Sequence, residues 1–319
     1  MARPSGETFD ELALAAFRHQ VKHNAVYRQY VALLGRDPRR VRGTAEIPFL
    51  PIGLFKTHEI RSGIWPAETV FTSSGTTGRA TSRHFVRDLA FYYRHAELGF
   101  RHFFGPVEDH AVLALLPSYL ERGGSSLVAM AGHFIRRSRY PESGFFLDQP
   151  EQLIRRIDQL LAAGVPTLLL GVTFALLDLA EKGPFPWRDL KVMETGGMKG
   201  RRREMVREEV HDHLRRGFGI PEVLSEYGMT ELFSQAYSLG GGIFRPVPGM
   251  QVHTREITDP FAAPSAGKTG VLNIIDLANW DTVSFVATDD LGRVYPDESF
   301  EVLGRLDHSD LRGCNLLVL

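Results

Sequence analysis

Hydroxyl side chains and glycines crowd the stretch Thr72-Ser73-Ser74-Gly75-Thr76-Thr77-Gly78, between the apolar pair Val70-Phe71 and Arg79. Backbone N–H and side-chain O–H donors in such a loop can converge on phosphate oxygens, and glycines let a ligand approach the backbone. The same composition also makes an ordinary solvated turn. It is not a Walker loop, because Gly-x-x-x-x-Gly-Lys does not occur there. The second reactive group is Cys314, the only cysteine in the chain. A thiol is more acidic than a hydroxyl and intrinsically nucleophilic, so it suits attack on an activated acyl group. Flanked by Leu311, Leu316 and Leu317, it also fits a small buried hydrophobe. Other polar residues read more plainly. His84 reads as a helix-surface histidine, and Lys56 and Lys199 as surface lysines. His211 and His213, two apart on a helix, do not share a face and make poor metal ligands. Arg201-Arg202-Arg203 reads as a solvated helix start.

The elements that would position these groups follow from apolar spacing. Thr8 to Gly35 opens with the capping box Thr8-x-x-Glu11 and carries Leu12, Phe17, Val21, Tyr27 and Val31 at near-helical spacing, which predicts one amphipathic helix. Ile47 to Phe55 holds Pro48 and Pro51 and reads as an extended packing connector, not a helix. Val112 to Pro117, Pro166 to Thr173 and Lys191 to Thr195 read as buried strands, with helices at Ser82 to Phe103, Pro150 to Ala163 and Arg202 to Arg215. The phosphate loop is therefore expected to lead into a helix. Strands alternating with helices predict an α/β fold with a largely parallel sheet. Beyond residue 240 the pattern turns to short segments at Gly270 to Asp276, Ser284 to Thr288, Arg293 to Tyr295 and Ser299 to Val302, expected to be antiparallel. The expected organisation is an α/β part over 1–240 and a β-rich part over 241–319, in one compact unit.

Composition limits the function. The chain has 319 residues, 43% hydrophobic and 24% charged, with Lys+Arg 37 against Asp+Glu 38 and a formal net charge of −1. So even a balance argues against a dedicated nucleic-acid binder or charge-held membrane protein. A single cysteine permits neither an internal disulfide nor a Cys-based zinc site. No export signal and no run of about 18 apolar residues is visible, so the expected location is the cytoplasm.

Further motifs follow the loop in order: Glu194-Thr195-Gly196-Gly197, Ser225-Glu226-Tyr227-Gly228-Met229-Thr230-Glu231, Thr288-Asp289-Asp290-Leu291-Gly292 and Gly304-Arg305-Leu306-Asp307. Singly, each is more often a turn or helix start than a site. Together and in this order they resemble the signature motifs of the adenylate-forming superfamily, whose large domain combines parallel-sheet layers with a C-terminal antiparallel β portion. The resemblance implies that Thr72, Ser73, Ser74, Gly75, Thr76, Thr77 and Gly78 hold phosphates, and that Gly196 and Gly197 pack against adenine. It implies that Tyr227, followed by Gly228, stacks on adenine, that Thr230 bonds the α-phosphate, and that Glu231 holds Mg²⁺. Asp290 would take the ribose hydroxyls, Arg305 would also reach the nucleotide, and Asp307 would mark the hinge. Magnesium chemistry suits a hard carboxylate oxygen beside substrate phosphates. After Gly78 the sequence departs from the superfamily's proline and lysine, leaving Arg79 or Arg83 to supply charge.

The tail Arg312-Gly313-Cys314, together with Leu115 to Met130, Met193 to Met205 and Ser225 to Ser238, is similar to the LuxE-type acyl-protein synthetases. The chain ends 12 residues beyond Asp307, so the resemblance implies that the superfamily's small C-terminal domain and its catalytic lysine are lacking. It further implies a ligase that uses ATP and Mg²⁺ to activate a fatty or other carboxylic acid, loads it on Cys314, and delivers it to a LuxC-type reductase partner. Transfer to coenzyme A or a carrier protein, as in arylacetate-CoA ligases, and a non-catalytic nucleotide-binding subunit are the alternatives. The acyl pocket is expected near Leu115 to Met130 and Leu170 to Ala175, at strand ends.

Overall fold

The computed structural model describes residues 8–73, 81–116, 124–147, 149–196, 205–259, 262 and 267–306. The N-terminal segment forms two helices where periodicity predicts one: α1 (Phe9–His23) and α2 (Ala25–Leu33). Thr8 and Glu11 make the expected capping box on α1. The break is Asn24, whose extended backbone ends α1 while its side chain accepts from Tyr27 N–H to start α2. Asn24 Nδ2 donates to Thr282 O, so a long-range bond overrides local helical preference. The proline-bearing connector contributes β1 (Leu50–Pro51), paired in parallel with a distant strand, then turns into the short helix α3 (Leu54–Thr57). The expectation of an extended segment to Phe55 therefore fails at Leu54, past the reach of Pro51.

Strands β2 (Thr69–Thr72) and β3 (Arg83–Val86) form an antiparallel pair on either side of the hydroxyl-rich loop, and α4 (Leu89–Phe104) follows. The loop thus leads into a strand, not a helix. The predicted helix starts at Leu89 because Asp88, extended, accepts from Phe91 N–H as its cap. Next come β4 (Ala111–Leu115), α5 (Ser126–Arg137), β5 (Gly144–Phe145), α6 (Pro150–Ala162), β6 (Thr167–Gly171), α7 (Thr173–Ala180), β7 (Lys191–Glu194), α8 (Arg207–Phe218) and β8 (Leu224–Tyr227). The chain then runs through β9 (Ala236–Ser238), β10 (Ile243–Pro246), β11 (Met250–Arg255), β12 (Gly270–Asp276), β13 (Phe285–Val294) and β14 (Phe300–Arg305).

One sheet runs in the order β11-β12-β13-β14-β10-β9-β8-β7-β6-β4-β5, with β1 added on β13. From β5 to β8 all pairs are parallel; from β8 to β11 they are antiparallel. Strands β4 and β6 are buried along their whole length, which explains why they read as unbroken apolar runs. Strand β13 corrects the expectation of two short strands, since Asp289-Asp290-Leu291-Gly292 lies inside it. A register shift falls between Leu291 and Gly292, and a Cβ at Gly292 would collide with the Glu301 backbone of β14. That glycine serves close strand approach, not a turn. Among the described residues no helix is long and apolar enough to cross a membrane.

Candidate active site

The C-terminal ends of β7 and β8 carry two of the motifs, the position where open α/β sheets bind ligands. At the end of β7, Glu194 is buried and collects donors. Its Oε2 accepts from Thr173 Oγ1 (2.9 Å) and from Gly196 N–H (2.7 Å), and its Oε1 accepts from Ser225 Oγ (3.1 Å). His211 Nε2 lies 3.7 Å and Arg207 Nε 3.8 Å from Oε1. Burial opposes its ionisation, but His211, Arg207, Gly196 and Thr173 overcome that and hold the carboxyl down at about 2. The fixed charge locks the turn at Gly196, whose φ of +71° suits glycine. Gly197 lies outside the described residues. His211 is buried and His213 exposed, so the two do point apart.

On the next strand Glu226 and Tyr227 alternate across the sheet. Tyr227 is buried, edge-on to Phe244 and Phe300 at 5.9 and 5.5 Å, and its hydroxyl donates to Asp290 Oδ2 at 2.8 Å. Arg305 Nε stands 3.3 Å from Asp290 Oδ1. Three residues from three separate motifs therefore meet: the end of β8, the middle of β13 and the end of β14. Burial pushes the Asp290 carboxyl up, against the pull of Arg305 and Tyr227. Glu226, on the opposite face, is pushed up to about 8 by burial and by the Glu194 charge. It packs against Gly228, where a Cβ would collide with its Oε1.

Thr230 and Glu231 sit in the turn that follows. Glu231 is buried, and burial pushes its carboxyl up against the pull of Ser82, Arg305 and Lys56. The turn is held from several sides. Asn279 Nδ2 donates to Glu231 O at 2.8 Å, and Asp276 accepts from Phe233 N–H (2.8 Å), Ser234 N–H (3.0 Å), Ser234 Oγ (2.6 Å) and Ala278 N–H (3.0 Å). Gln20 on α1 donates to Asn279 O and accepts from Ser284 N–H. The N-terminal helices thus brace the segment that braces Glu231. His84 corrects the surface expectation: it is buried on β3, with Nδ1 2.8 Å from Thr230 O and Nε2 3.1 Å from Thr282 Oγ1. Burial lowers its pKa to about 4, so it is neutral at neutral pH and supplies no charge to phosphate.

The base of the loop expected to hold phosphate is closed by reciprocal bonds. Ser73 N–H donates to Ser82 O at 3.1 Å, and Ser82 N–H donates to Ser73 Oγ at 2.9 Å. Thr72 N–H donates to Gly124 O at 2.8 Å, which ties the loop to the start of α5. Ser74, Gly75, Thr76, Thr77, Gly78, Arg79, Lys199, the run Arg201 to Arg203, Asp307 and Cys314 lie outside the described residues. In the region expected to form the acyl pocket, Leu115, Leu116, Leu170, Val172, Phe174 and Ala175 are packed as core. A cavity of about 730 Å³ lies elsewhere, between the β1–α3 connector and β11 to β13, with Phe49, Lys56, His253, Arg255 and Asp289 in its walls. His253 Nε2 is buried there without a hydrogen-bond partner. Sequence reasoning quoted Glu194 only as part of a motif, with no role of its own, and missed Asp276 and Gln20, whose bonds to Ser234 and Ser284 join residues 42 and 264 apart.

Comparison with known proteins bears on the whole arrangement. No protein-family model and no curated protein matches the sequence. Among solved structures, 2-hydroxyisobutyryl-CoA ligase in the postadenylation state in complex with 2-HIB-AMP superposes with a TM-score of 0.68 at 16% identity, over 96% of this chain and 69% of that one. The fold is that of the adenylate-forming ligases. ATP-bound MatB from Rhodopseudomonas palustris gives a TM-score of 0.54 at 15% identity, over 74% of this chain and 47% of that one. O-succinylbenzoate coenzyme A synthetase (MenE) from Bacillus subtilis, in complex with AMP, gives 0.52 at 16%, over 77% and 50%. The chain therefore spans about half the length of MatB and MenE. At such identities the likeness carries the fold alone, and activity rests on the residues.

Proposed function

We propose that this chain is an ATP-dependent ligase that joins a carboxylic acid to AMP and passes the acyl group to a thiol, with Cys314 as its own acceptor. The observation that carries the reading is the meeting of Tyr227, Asp290 and Arg305 from three distant motifs beside the Thr230–Glu231 turn. Asp290 offers carboxylate oxygens to the ribose hydroxyls, and Arg305 and Tyr227 orient it. The segment from Thr72 to Gly78 and the pair Gly196-Gly197 receive the phosphates and the base. Glu231 fits a Mg²⁺ ligand: it is a buried carboxylate at a raised pKa, and a bound divalent cation would offset its burial. Among the described residues there is no cluster of three acidic, His or Cys side chains, so Glu231 would share the ion with substrate phosphates. When bound, that ion neutralises phosphate charge. The carboxylate of the acid attacks the α-phosphorus in line, the bond to pyrophosphate breaks, and pyrophosphate leaves. The Cys314 thiolate then displaces AMP to give a thioester.

The fatty nature of the acid and delivery to a LuxC-type reductase rest on the likeness to LuxE-type synthetases. A second reading, transfer to coenzyme A, is favoured by the fact that the similar structures are named as coenzyme A ligases. Incubation with radiolabelled fatty acid, ATP and Mg²⁺ separates the two. The first reading expects hydroxylamine-sensitive label on the protein that is lost in Cys314→Ser. Retention of the label in that variant, or acyl-CoA formation undiminished by it, sinks the acceptor role.

A further inference from the structure

The adenylate-forming reaction brings a carboxylate up to a polyphosphate, so its site needs positive charge. Among the described residues near the Thr230–Glu231 turn, His84 is neutral, Arg305 is engaged with Asp290, and Arg83, opposite Thr72 on β3, lies over the Phe85 ring. The stretch just after the connector Ile47 to Phe55 offers a further cation. The connector's strand β1 pairs with β13 at Leu50↔Val286 and Pro51↔Ala287, and Ile52 N–H donates to Ala287 O, so the path of the chain is fixed up to α3. Phe55 on α3 is fully buried and meets the His84 ring edge-on at 5.8 Å. His84 in turn sits 2.8 Å from Thr230 O. The residue after Phe55 is Lys56, exposed and in no ion pair among the described residues. Lys56 shares the wall of the 730 Å³ cavity with Asp289, the chain neighbour of Asp290.

Resting on the adenylation reading above, we propose that Lys56 is the cation of the reaction centre, meeting the phosphate oxygens as the acid attacks. Two fixed anchors, the β1–β13 pairing and the Phe55–His84 contact, hold α3 close to β13 and, through His84, to the Thr230–Glu231 turn. The Lys56 charge is felt at Glu231, which it pulls toward ionisation. No proton changes hands: the ammonium stays charged while negative charge passes from the α-phosphoryl bond to the leaving pyrophosphate. A buried apolar anchor followed at once by a solvated cation explains why this stretch reads as a packing element with an ordinary surface lysine at its end.

The test compares wild type, Lys56→Ala, Lys56→Arg and the neighbouring control His58→Ala in ATP–pyrophosphate exchange, with the acid that gives the fastest wild-type rate. Loss of one preorganised charge contact at a transition state costs roughly 100-fold in kcat. Lys56→Ala is expected to fall by about that factor with a smaller change in KM, Lys56→Arg to recover part of it, and His58→Ala to match wild type. Lys56→Ala within about threefold of wild type overturns the proposal, as does an equal loss in Lys56→Ala and Lys56→Arg. Absence of exchange in wild type would instead overturn the adenylation reading. Calorimetric binding of inorganic pyrophosphate to wild type and Lys56→Ala needs no turnover: weakening in the variant supports the assignment, and unchanged or undetectable binding overturns it.

Discussion

Replacing Glu226 by Gln tests how the site manages its carboxylates. Glu226 is 9% exposed, faces Tyr237 across the β8–β9 ladder, and lies one strand from the ionised Glu194. Burial first, and the Glu194 charge second, raise its pKa from 4.5 to about 8. A carboxyl raised on folding binds its proton more tightly in the native state, so its contribution to stability is fully present below pH 4.5 and is lost as pH rises toward 8. Between about pH 6 and pH 8 that loss amounts to about 2 kcal/mol, at about 1.4 kcal/mol per unit less the saturation near the folded pKa. Gln does not titrate and is close in shape. Urea unfolding of wild type and Glu226→Gln at the two pH values should show the variant gaining about 2 kcal/mol on wild type at the higher pH. A stability difference that stays constant between them refutes the neutral-acid reasoning. On the proposed reading the functional sense is electrostatic: a carboxyl close to the anion-binding residues stays uncharged at neutral pH.

Glu194→Gln should lower stability by about 3 kcal/mol or more, because the amide loses the charge facing His211 and Arg207 and keeps only one acceptor, so its NH₂ meets either Thr173 and Gly196 N–H or Ser225 with a donor where an acceptor is needed. Chemical denaturation measures this. Wild type should also lose stability as pH falls from 4.5 toward 2, the window in which its depressed carboxyl takes up a proton, and the variant should lose less. Asp276→Asn should cost about 2 kcal/mol or more by the same measurement, since the carboxylate accepts from Phe233, Ser234 and Ala278. The Glu231 turn should loosen with it, seen as faster amide exchange at Phe233 and Ser234.

The parallel half of the fold was legible because β4, β6 and β7 are buried runs with little competing signal. What escaped reading was set by partners far away in sequence. Asn24 breaks a helix that periodicity alone would continue, because Thr282 O requires its amide. Arg83 to Val86 reads as the start of a helix yet pairs with β2, and Ser73 and Ser82 bond across the base of the proposed phosphate loop beside that pairing. Asp-Asp-Leu-Gly looks like a turn and is a strand, because Gly292 answers to the β14 backbone. The candidate site divides the same way. Glu194, Tyr227, Thr230, Glu231, Asp290 and Arg305 stand in motifs that sequence order exposes, whereas Asp276 and Gln20 act by holding backbone in place and leave no local pattern.

The most direct measurement on the central claim is ATP–pyrophosphate exchange by the purified 319-residue chain with a panel of straight-chain and aryl carboxylic acids, run beside Glu231→Gln. Adenylate formation predicts acid-dependent exchange in wild type and its loss in the variant. Exchange absent with every acid, or retained without Glu231, would contradict the account.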